Sequence, residues 1–201
     1  MSTSAPNQPL REELFEIDTA LLTQRCVIRR FREHEGAQLF DLVRDSQDYL
    51  HEQYPDLPRA VGENAKQAEG FVRRRIADWL LQQNFTFGVW DNESTELIGY
   101  LQVRDVNWSV PAASLDFFLH PAQKEGGYTV EVLARMLRFA FRQLGLEKLN
   151  YYVLSDNFAA QRAARKVGFK REGDLRNQFR KGSGFLADLM CFGLSRETYG
   201  E

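Results

Sequence analysis

The stretch from Leu115 to Leu144 constrains the fold of this 201-residue chain more than any other part of its sequence. It begins with a short apolar segment, passes through a polar loop that contains Gly126 and Gly127, and continues into a segment with apolar residues at helical spacing. Glycines let a loop backbone approach a ligand closely, and the unpaired N–H groups at a helix start attract anions. The stretch therefore predicts a strand–loop–helix unit, which is either a simple connection or an anion-binding site.

The bulk composition indicates one globular domain without strong charge bias. Lys and Arg total 26 against 28 Asp and Glu, and hydrophobic residues make up 43% of the chain. This balance argues against a general nucleic-acid binder, which is usually basic. No apolar run has the length of a membrane span and the N-terminus lacks a signal-peptide core, so we expect a cytoplasmic protein without membrane partners. Cys26 and Cys191 are expected to be reduced thiols, and no Cys/His cluster has the spacing of a metal site.

Patterns of apolar residues predict an alternating order of strands and helices. Strands are expected near 25–30, 85–90, 97–106, 112–119, 148–154, 169–173 and 185–194, and helices near 35–45, 64–81, 128–144 and 157–167. Residues 1–20 are expected to form a partly disordered extension, and residues 21–201 one domain. Residues 48–63 contain two prolines and are expected to lack regular structure, as a lid or binding wall often does.

This order, with short motifs at matching positions, resembles the GNAT superfamily of acyl-CoA-dependent N-acetyltransferases. Within it, the likeness is to the branch that acetylates the N-terminal amines of ribosomal proteins. The likeness covers 22–197, and its motifs are Leu22-Thr23-x-Arg25-Cys26-Val27-Ile28-Arg29, Leu97-Ile98-Gly99-Tyr100, Leu119-His120-Pro121-Ala122, Gly127-Tyr128-x-x-Glu131, Asp156-Asn157 and Gly168-Phe169-Lys170-Arg171-Glu172-Gly173. It implies an α/β fold: a mixed, mostly antiparallel sheet of about seven strands with a splayed parallel pair, flanked by about four helices.

The resemblance also implies acetyl-CoA as co-substrate, without a metal. The pantetheine arm would lie between the splayed strands, beside Phe117, Phe118 and Leu119. The pyrophosphate would bind the N–H groups of a loop with the family pattern Q/R-x-x-G-x-G/A, which aligns here with Lys124, Glu125, Gly126, Gly127, Tyr128 and Thr129. Asn157 would contact the CoA arm, and from the residues alone either Asp156 or Asn157 is a natural N-cap of the helix that follows.

Several positions depart from the family pattern. Glu125 stands where relatives have a small residue, and at about 6 Å and an effective dielectric of about 20 its repulsion with a phosphate costs about 3 kcal/mol. The serine and tyrosine that often act as acids are replaced by Ala160 and Ala164, and the glutamate of the fourth strand by Ser114. The remaining candidates are Asp116 and Ser155 for catalysis, and His51, Glu52 and Tyr54 for binding the acceptor.

Two functions follow as hypotheses. The first is an N-acetyltransferase that moves acetyl directly from acetyl-CoA to a primary amine, either a protein N-terminus or a small amine, with a homodimer as the expected assembly. The alternative, prompted by Ala160, Ala164 and Glu125, is a GNAT-fold module that binds CoA or regulates a partner with little or no transfer. Thiol release from acetyl-CoA in the presence of amines discriminates between them.

Overall fold

The structure, a computed structural model, describes residues 10–123 and 127–200. Within these ranges the chain forms one mixed sheet of eight strands in the order β1-β2-β3-β4-β5-β6-β8-β7. The strands are β1 (Ala20–Leu22), β2 (Cys26–Arg30), β3 (Phe85–Asp91), β4 (Leu97–Asn107), β5 (Ala112–Leu119), β6 (Lys148–Leu154), β7 (Lys170–Arg180) and β8 (Leu186–Ser195). Neighbouring strands are antiparallel except β5 and β6, which are parallel. The expected α/β class and its parallel pair are confirmed.

Seven α-helices surround the sheet in the described residues. They are α1 (Gly36–Asp45), α2 (Gln47–Gln53), α3 (Asp56–Val61), α4 (Ala65–Leu80), α5 (Tyr128–Arg142), α6 (Phe158–Lys166) and α7 (Arg196–Gly200), with short 3-10 helices at Glu12–Phe15 and Pro121–Gln123. None of the helices in these ranges is long and apolar enough to cross a membrane.

Hydrophobic residues cover both faces of the sheet. Successive side chains on a strand point to opposite faces, and β5 shows the consequence. Phe117 and Leu119 belong to a core with Leu133 and Met136 of α5, whereas Phe118 belongs to a second core with residues of α1 and α4. The sheet thus separates α5 from the α1–α4 layer, and β5 is buried on both sides.

The parallel pair separates along its length. Residues Ala112–Leu115 of β5 pair with Lys148–Tyr151 of β6, and the pairing ends there. Beyond that point β5 continues to pair with β4, while the end of β6 pairs with β8. We call the space between Asp116–Leu119 and Tyr152–Leu154 the β5–β6 gap; it is the splay that the family resemblance implied.

The expectation that residues 48–63 lack regular structure is wrong, because α2 and α3 occupy this segment. Pro55 precedes the first residue of α3 and Pro58 lies in its first turn, where the missing N–H costs no hydrogen bond. Burial of Leu50 and Val61 in the second core holds these short helices in place. The count of about four helices was therefore too low.

Strand β7 is longer than its sequence predicted, running to Arg180 rather than ending near Gly173. It lies at the edge of the sheet and its side chains are mostly exposed, so it carries no alternation of apolar residues. At the other end of the chain, Leu14 is buried in the first core. Residues 1–9 lie outside the described residues, and the division at residue 20 stays a prediction.

Candidate active site

A cavity of about 480 Å³ opens beside the β5–β6 gap; we call it the main cavity because it adjoins the gap. Its floor is the face of β4 and β5 that carries Gln102 and Asp116. The α2–α3 junction and α4 form one wall, and the end of β6 with the β7–β8 hairpin forms the other. Aromatic rings are common in its lining, which includes Tyr54, Phe71, Tyr100, Phe118, Tyr152 and Phe179. A concave, aromatic cavity with a few polar groups is typical of a small-molecule site.

Asp116 places a carboxylate on the floor of the main cavity. The Arg104 Nε donates a hydrogen bond to Asp116 Oδ2 at 2.5 Å, and Arg104 also contacts the exposed Asp105. The Asp116 side chain is 32% exposed, and its Oδ1 accepts no hydrogen bond from the described residues. An oriented carboxylate with a free oxygen can accept a hydrogen bond or a proton from an amine.

Tyr54, which follows α2, reaches the strand backbone at the β5–β6 gap. Its hydroxyl donates to the carbonyl of Phe117 at 2.8 Å, and the Tyr151 hydroxyl is its hydrogen-bonding neighbour. Burial raises the pKa of Tyr54 well above its ordinary value, and the nearby Tyr151, Tyr49 and Asp116 raise it further. Tyr54 is therefore a protonated donor at neutral pH. The structure brings it together with Asp116 in the lining of the main cavity.

Asn157 closes the other side of the β5–β6 gap. Its Oδ1 accepts from the N–H of Ala160 at 3.1 Å, which confirms its predicted role as the N-cap of α6. Its Nδ2 donates to Gln53 Oε1 at 2.9 Å and approaches the Tyr49 hydroxyl at 3.4 Å. Asn157 thus connects the end of β6 to α2 across the main cavity, and its contact with CoA stays a prediction.

Only part of the predicted phosphate loop can be described. Lys124, Glu125 and Gly126 lie outside the described residues. Gly127 has a φ of +82°, in the left-handed region that favours glycine, and α5 begins at the next residue. Thr129 is half-buried in the first turn of that helix. The start of α5 follows β5 closely in the chain, as the strand–loop–helix pattern predicted.

A polar network fixes the first turn of α5 to β2 and β3. Glu131 accepts from the Arg25 N–H at 2.9 Å and from Arg25 Nε at 2.8 Å. The Arg25 guanidinium lies over the Tyr128 ring, with Cζ 4.3 Å from its centre, and the Tyr128 hydroxyl donates to Asp91 Oδ2 at 3.1 Å. Tyr128 therefore points to β3 and is absent from the lining of the main cavity.

Three of the residues predicted for catalysis or acceptor binding lie outside the main cavity. His51 accepts through its main-chain carbonyl from Gly182 N, and Glu52 accepts from the Ser183 hydroxyl at 3.1 Å, so both join α2 to the β7–β8 hairpin. Ser155 lies in the turn after β6, where its N–H donates to the Asp188 carbonyl and its own carbonyl accepts from Gln161. The structure gives their side chains no place beside Asp116, and their predicted roles stay predictions.

A second cavity of about 530 Å³ lies between α1, the start of β4 with the turn before it, and the segment that follows β5. In the described part of the chain its acidic residues are Asp41, Asp45 and Glu96, and His120 also lines it. Arg44 pairs with Asp41 and Asp45, but no Lys or Arg of the described residues lines the cavity itself, so its carboxylates disfavour the phosphates of a nucleotide. This acidic cavity is therefore a poor candidate for binding CoA.

Sequence reasoning missed several polar residues of the main cavity, among them Arg75, Gln102 and Arg104. Gln102 and Arg104 follow Tyr100 at intervals of two residues on β4, so all three lie on one face of the strand. Polar residues at alternate positions of a central strand are the signal that could have identified them. In sequence Arg75 belongs to a run with Arg73 and Arg74, and such a run is typical of a helix surface that faces water. Only the structure, in which Arg75 is half-buried and its two neighbours are exposed, separates it from them. The described residues hold no group of His, Cys, Asp and Glu suited to a metal ion.

Comparison with known proteins agrees with this geometry. Residues 25–170 match a family model described as "Acetyltransferase (GNAT) domain". The uncharacterized N-acetyltransferase YoaA of Bacillus subtilis (strain 168) is 22% identical over 156 residues, which is 78% of this chain and 85% of YoaA.

Two solved structures share the fold over nearly their whole length. The ribosomal-protein-S5-alanine acetyltransferase from Vibrio fischeri superimposes with a TM-score of 0.83 at 12% identity, covering 90% of this chain and 99% of that one. Mycobacterium smegmatis RimJ in complex with CoA-disulfide superimposes with a TM-score of 0.82 at 17% identity, covering 92% and 90% of the two chains. With the family model matching most of its length, the chain belongs to the GNAT family of acetyltransferases.

Proposed function

We propose that the protein is an acetyl-CoA-dependent N-acetyltransferase that transfers the acetyl group directly to a primary amine. The observation that carries this proposal is the β5–β6 gap, which opens into the main cavity beside Asp116. A fold alone does not define an activity, so support for the reaction class comes from family membership. Among the solved neighbours, RimJ holds CoA-disulfide and the immunity acetyltransferase MccE holds acetyl-CoA.

The chain has suitable groups for acetyl-CoA along one path. Past Leu115, β5 has no main-chain partner in β6, so an extended pantetheine arm can occupy the β5–β6 gap beside Phe117, Phe118 and Leu119. The start of α5 at Gly127 would then meet the pyrophosphate, since N–H groups at a helix start bind anions. Asn157 lies where it can contact the arm from the β6 side.

Transfer needs few protein groups beyond correct positioning. The amine nitrogen attacks the thioester carbon, the C–S bond breaks, CoA leaves as thiolate, and the nitrogen loses a proton. Asp116 is the group that would orient the amine and receive its proton, directly or through a water molecule, because its free oxygen lines the main cavity.

Tyr54 would supply the donor that Ala160 and Ala164 cannot. Its hydroxyl lies at the β5–β6 gap, on the carbonyl of Phe117, and stays protonated at neutral pH. On exchanging its hydrogen bond to the Phe117 carbonyl for one to sulfur, this hydroxyl can donate to the departing thiolate. Ser155, the donor that the sequence predicted, is the alternative, and its side chain would have to turn toward the gap to serve.

Thiol release from acetyl-CoA tests the proposed function. Purified protein is mixed with acetyl-CoA and a panel of small amines and N-terminal peptides, and free CoA and acetylated product are quantified together. Equal amounts of the two products are expected with at least one acceptor. Binding of acetyl-CoA without turnover across the panel would instead support a binding or regulatory module.

The proposal also covers the kind of acceptor and the assembly of the protein. Protein N-termini are the first acceptors to test, because the fold neighbours include a ribosomal-protein-S5-alanine acetyltransferase. We infer a cytoplasmic homodimer, as expected for the branch that the sequence resembles. Light scattering on the purified protein tests the assembly, with a mass near twice the 23.3 kDa of the chain as the expected result.

A further inference from the structure

The main cavity holds more polar groups than acetyl transfer requires. Asp116 and Tyr54 account for proton movement, which leaves Arg75 from α4 and Gln102 from β4 without a role. Both residues line the same cavity as Asp116. Their positions, hydrogen bonds and charges indicate which amines the cavity accepts.

Arg75 has hydrogen-bonding capacity to spare. One guanidinium nitrogen, Nη2, contacts Asp78 Oδ2 at 2.9 Å, and the group lies over the Phe71 ring with Cζ 5.0 Å from its centre. Its Nε is buried and has no hydrogen-bond partner in the described part of the chain. The side chain is 24% exposed, and it faces the main cavity. The remaining nitrogen, Nη1, has no hydrogen bond to the described residues, so the guanidinium can still donate to a carboxylate in the main cavity.

Gln102 adds a second donor next to Asp116. The residue is 8% exposed, and its Oε1 accepts from the Tyr100 hydroxyl at 3.2 Å, which directs its amide nitrogen elsewhere. That nitrogen has no hydrogen bond to the described residues, although Gln102 lines the main cavity. In the register of β4 and β5, Gln102 lies directly opposite Asp116. The Cβ atoms of directly paired residues are about 5 Å apart. The Gln102 amide and the Asp116 carboxylate therefore lie side by side on the cavity floor.

The charges around the main cavity also bear on the kind of acceptor. The charged residues of its lining are Arg75, Arg104, Asp56 and Asp116. The Asp56 side chain is 91% exposed and paired with Arg59, so it adds little charge inside. Arg75 is paired with Asp78, and Arg104 with Asp116 and Asp105, so the inner charges are close to balanced and none of the inner carboxylates of the lining is left unpaired. Such a lining offers little attraction to an acceptor with several ammonium groups.

We propose that the acceptor is a primary amine with a carboxylate a few bonds from its nitrogen. The carboxylate would bind Arg75 and Gln102, and the nitrogen would lie beside Asp116. A free amino acid and a peptide that begins with an acidic residue both present this chemistry. This inference rests on the proposed function, because it names the acceptor of that reaction. It concerns binding of the acceptor, so it can be tested separately from turnover.

Isothermal titration of the CoA-saturated protein with matched pairs of amines is the test. One pair is glycine and glycinamide; the other is a C-terminally amidated tripeptide that begins with aspartate and the same tripeptide that begins with asparagine. The carboxylated member of at least one pair is expected to bind at least tenfold more tightly, which corresponds to about 1.4 kcal/mol. Preference in the first pair identifies a small amino acid as the source, and preference in the second identifies a peptide. Equal dissociation constants within both pairs would overturn the inference.

Variants of two neighbouring arginines separate a specific contact from a general charge effect. Arg75→Met is expected to abolish the tenfold preference, and Arg75→Lys to restore part of it. Arg74→Met is the matched control, because Arg74 is an exposed neighbour on the same helix and lies outside the main cavity. Equal losses in Arg75→Met and Arg74→Met would contradict the assignment to Arg75. Binding of the carboxylated amines without their acetylation would contradict the proposed function and leave the inference standing.

Discussion

At the scale of single residues, the proposed chemistry of the site depends on Tyr54 and Asp116. The family resemblance located the usual acids at Ala160 and Ala164, where no side chain can donate a proton. The structure places a tyrosine hydroxyl from the α2–α3 junction at the β5–β6 gap instead, 2.8 Å from the Phe117 carbonyl. A donor from a different element can therefore serve the same step, because only its final position matters to the reaction.

Replacing Tyr54 by phenylalanine removes this donor and little else. We expect kcat to fall at least tenfold while KM for acetyl-CoA changes by less than about twofold, since a general acid acts mainly on the chemical step. The free energy of unfolding should fall by about 1 kcal/mol, the usual value of one hydrogen bond. Steady-state kinetics and urea unfolding measure the two effects.

Ser155→Ala is the comparison for that experiment. Ser155 lies in the turn after β6, and its hydroxyl has no hydrogen bond to the described residues, so its loss should leave kcat nearly unchanged. A large loss of kcat in Ser155→Ala, with normal activity in Tyr54→Phe, would reverse the assignment of the donor.

At this scale, sequence predicted a residue's structural role correctly where the residue type has one common role at that position. Asn157 before an alanine-rich helix predicted an N-cap, and the structure confirms it. It failed for Arg75, which belongs to a run of three arginines that looks uniformly exposed in sequence. Only the packing of α4 against the sheet sets Arg75 apart, and that packing depends on distant residues such as Tyr100.

At the scale of elements, the first turn of α5 is held by the network of Arg25, Tyr128, Glu131 and Asp91. Partial burial of Glu131 acts to raise its pKa. Hydrogen bonds from Thr23, from the Arg25 N–H and from the Arg25 guanidinium outweigh that effect and hold the pKa of Glu131 below its ordinary value of 4.5. The carboxylate form therefore stabilises the folded state above pH 4.5, and this contribution is lost as the pH falls through the lower folded pKa.

Glu131→Gln is expected to lower the free energy of unfolding by about 2 kcal/mol at pH 7, because hydrogen bonds to charged groups contribute about 1.5–3 kcal/mol. The difference between variant and wild type should shrink as the pH is lowered through the range below 4.5, where the wild-type carboxylate becomes protonated. KM for acetyl-CoA should rise severalfold while KM for the amine stays constant, since the start of α5 would serve the co-substrate.

The control is Glu93→Gln, which changes an exposed glutamate in the turn between β3 and β4. In urea unfolding, the free energy of unfolding of Glu93→Gln should match that of wild type at pH 7 and also below pH 4.5. A Glu131→Gln variant with unchanged stability, or one whose deficit grows as the pH falls, would contradict the role given to the network.

Elements were predictable where burial imposed a period and hard to predict where it did not. The bounds expected for β5 and β6 agree with the structure, because both strands are central and their side chains alternate or are buried throughout. Strand β7 was predicted too short because polar residues face water along an edge strand. Helices α2 and α3 were taken for a loop because two prolines suggested irregular backbone, yet both prolines lie at the start of α3.

At the scale of the whole molecule, the sheet creates the site by dividing its strands between two partners. Beyond Leu115, β5 continues with β4, while the end of β6 continues with β8. Cores on both faces hold β5 in position, and the β7–β8 hairpin extends past the gap to form part of the cavity wall. The fold class could be predicted from sequence, because it depends on the order of elements. The contents of the cavity could not, because they come from parts of the chain that are far apart in sequence, from the α2–α3 junction to the β7–β8 hairpin.

The most direct test of the account is an NMR titration of uniformly ¹⁵N-labelled protein with CoA. We predict that the largest amide shifts will be those of Phe117, Phe118 and Leu119 along the β5–β6 gap and of Gly127 and Thr129 at the start of α5. Amides of β1, at the far edge of the sheet, should remain unchanged. Shifts confined to the acidic cavity around Asp41 and Asp45, or no shifts at saturating CoA, would contradict the claim that the gap between these strands is the co-substrate site.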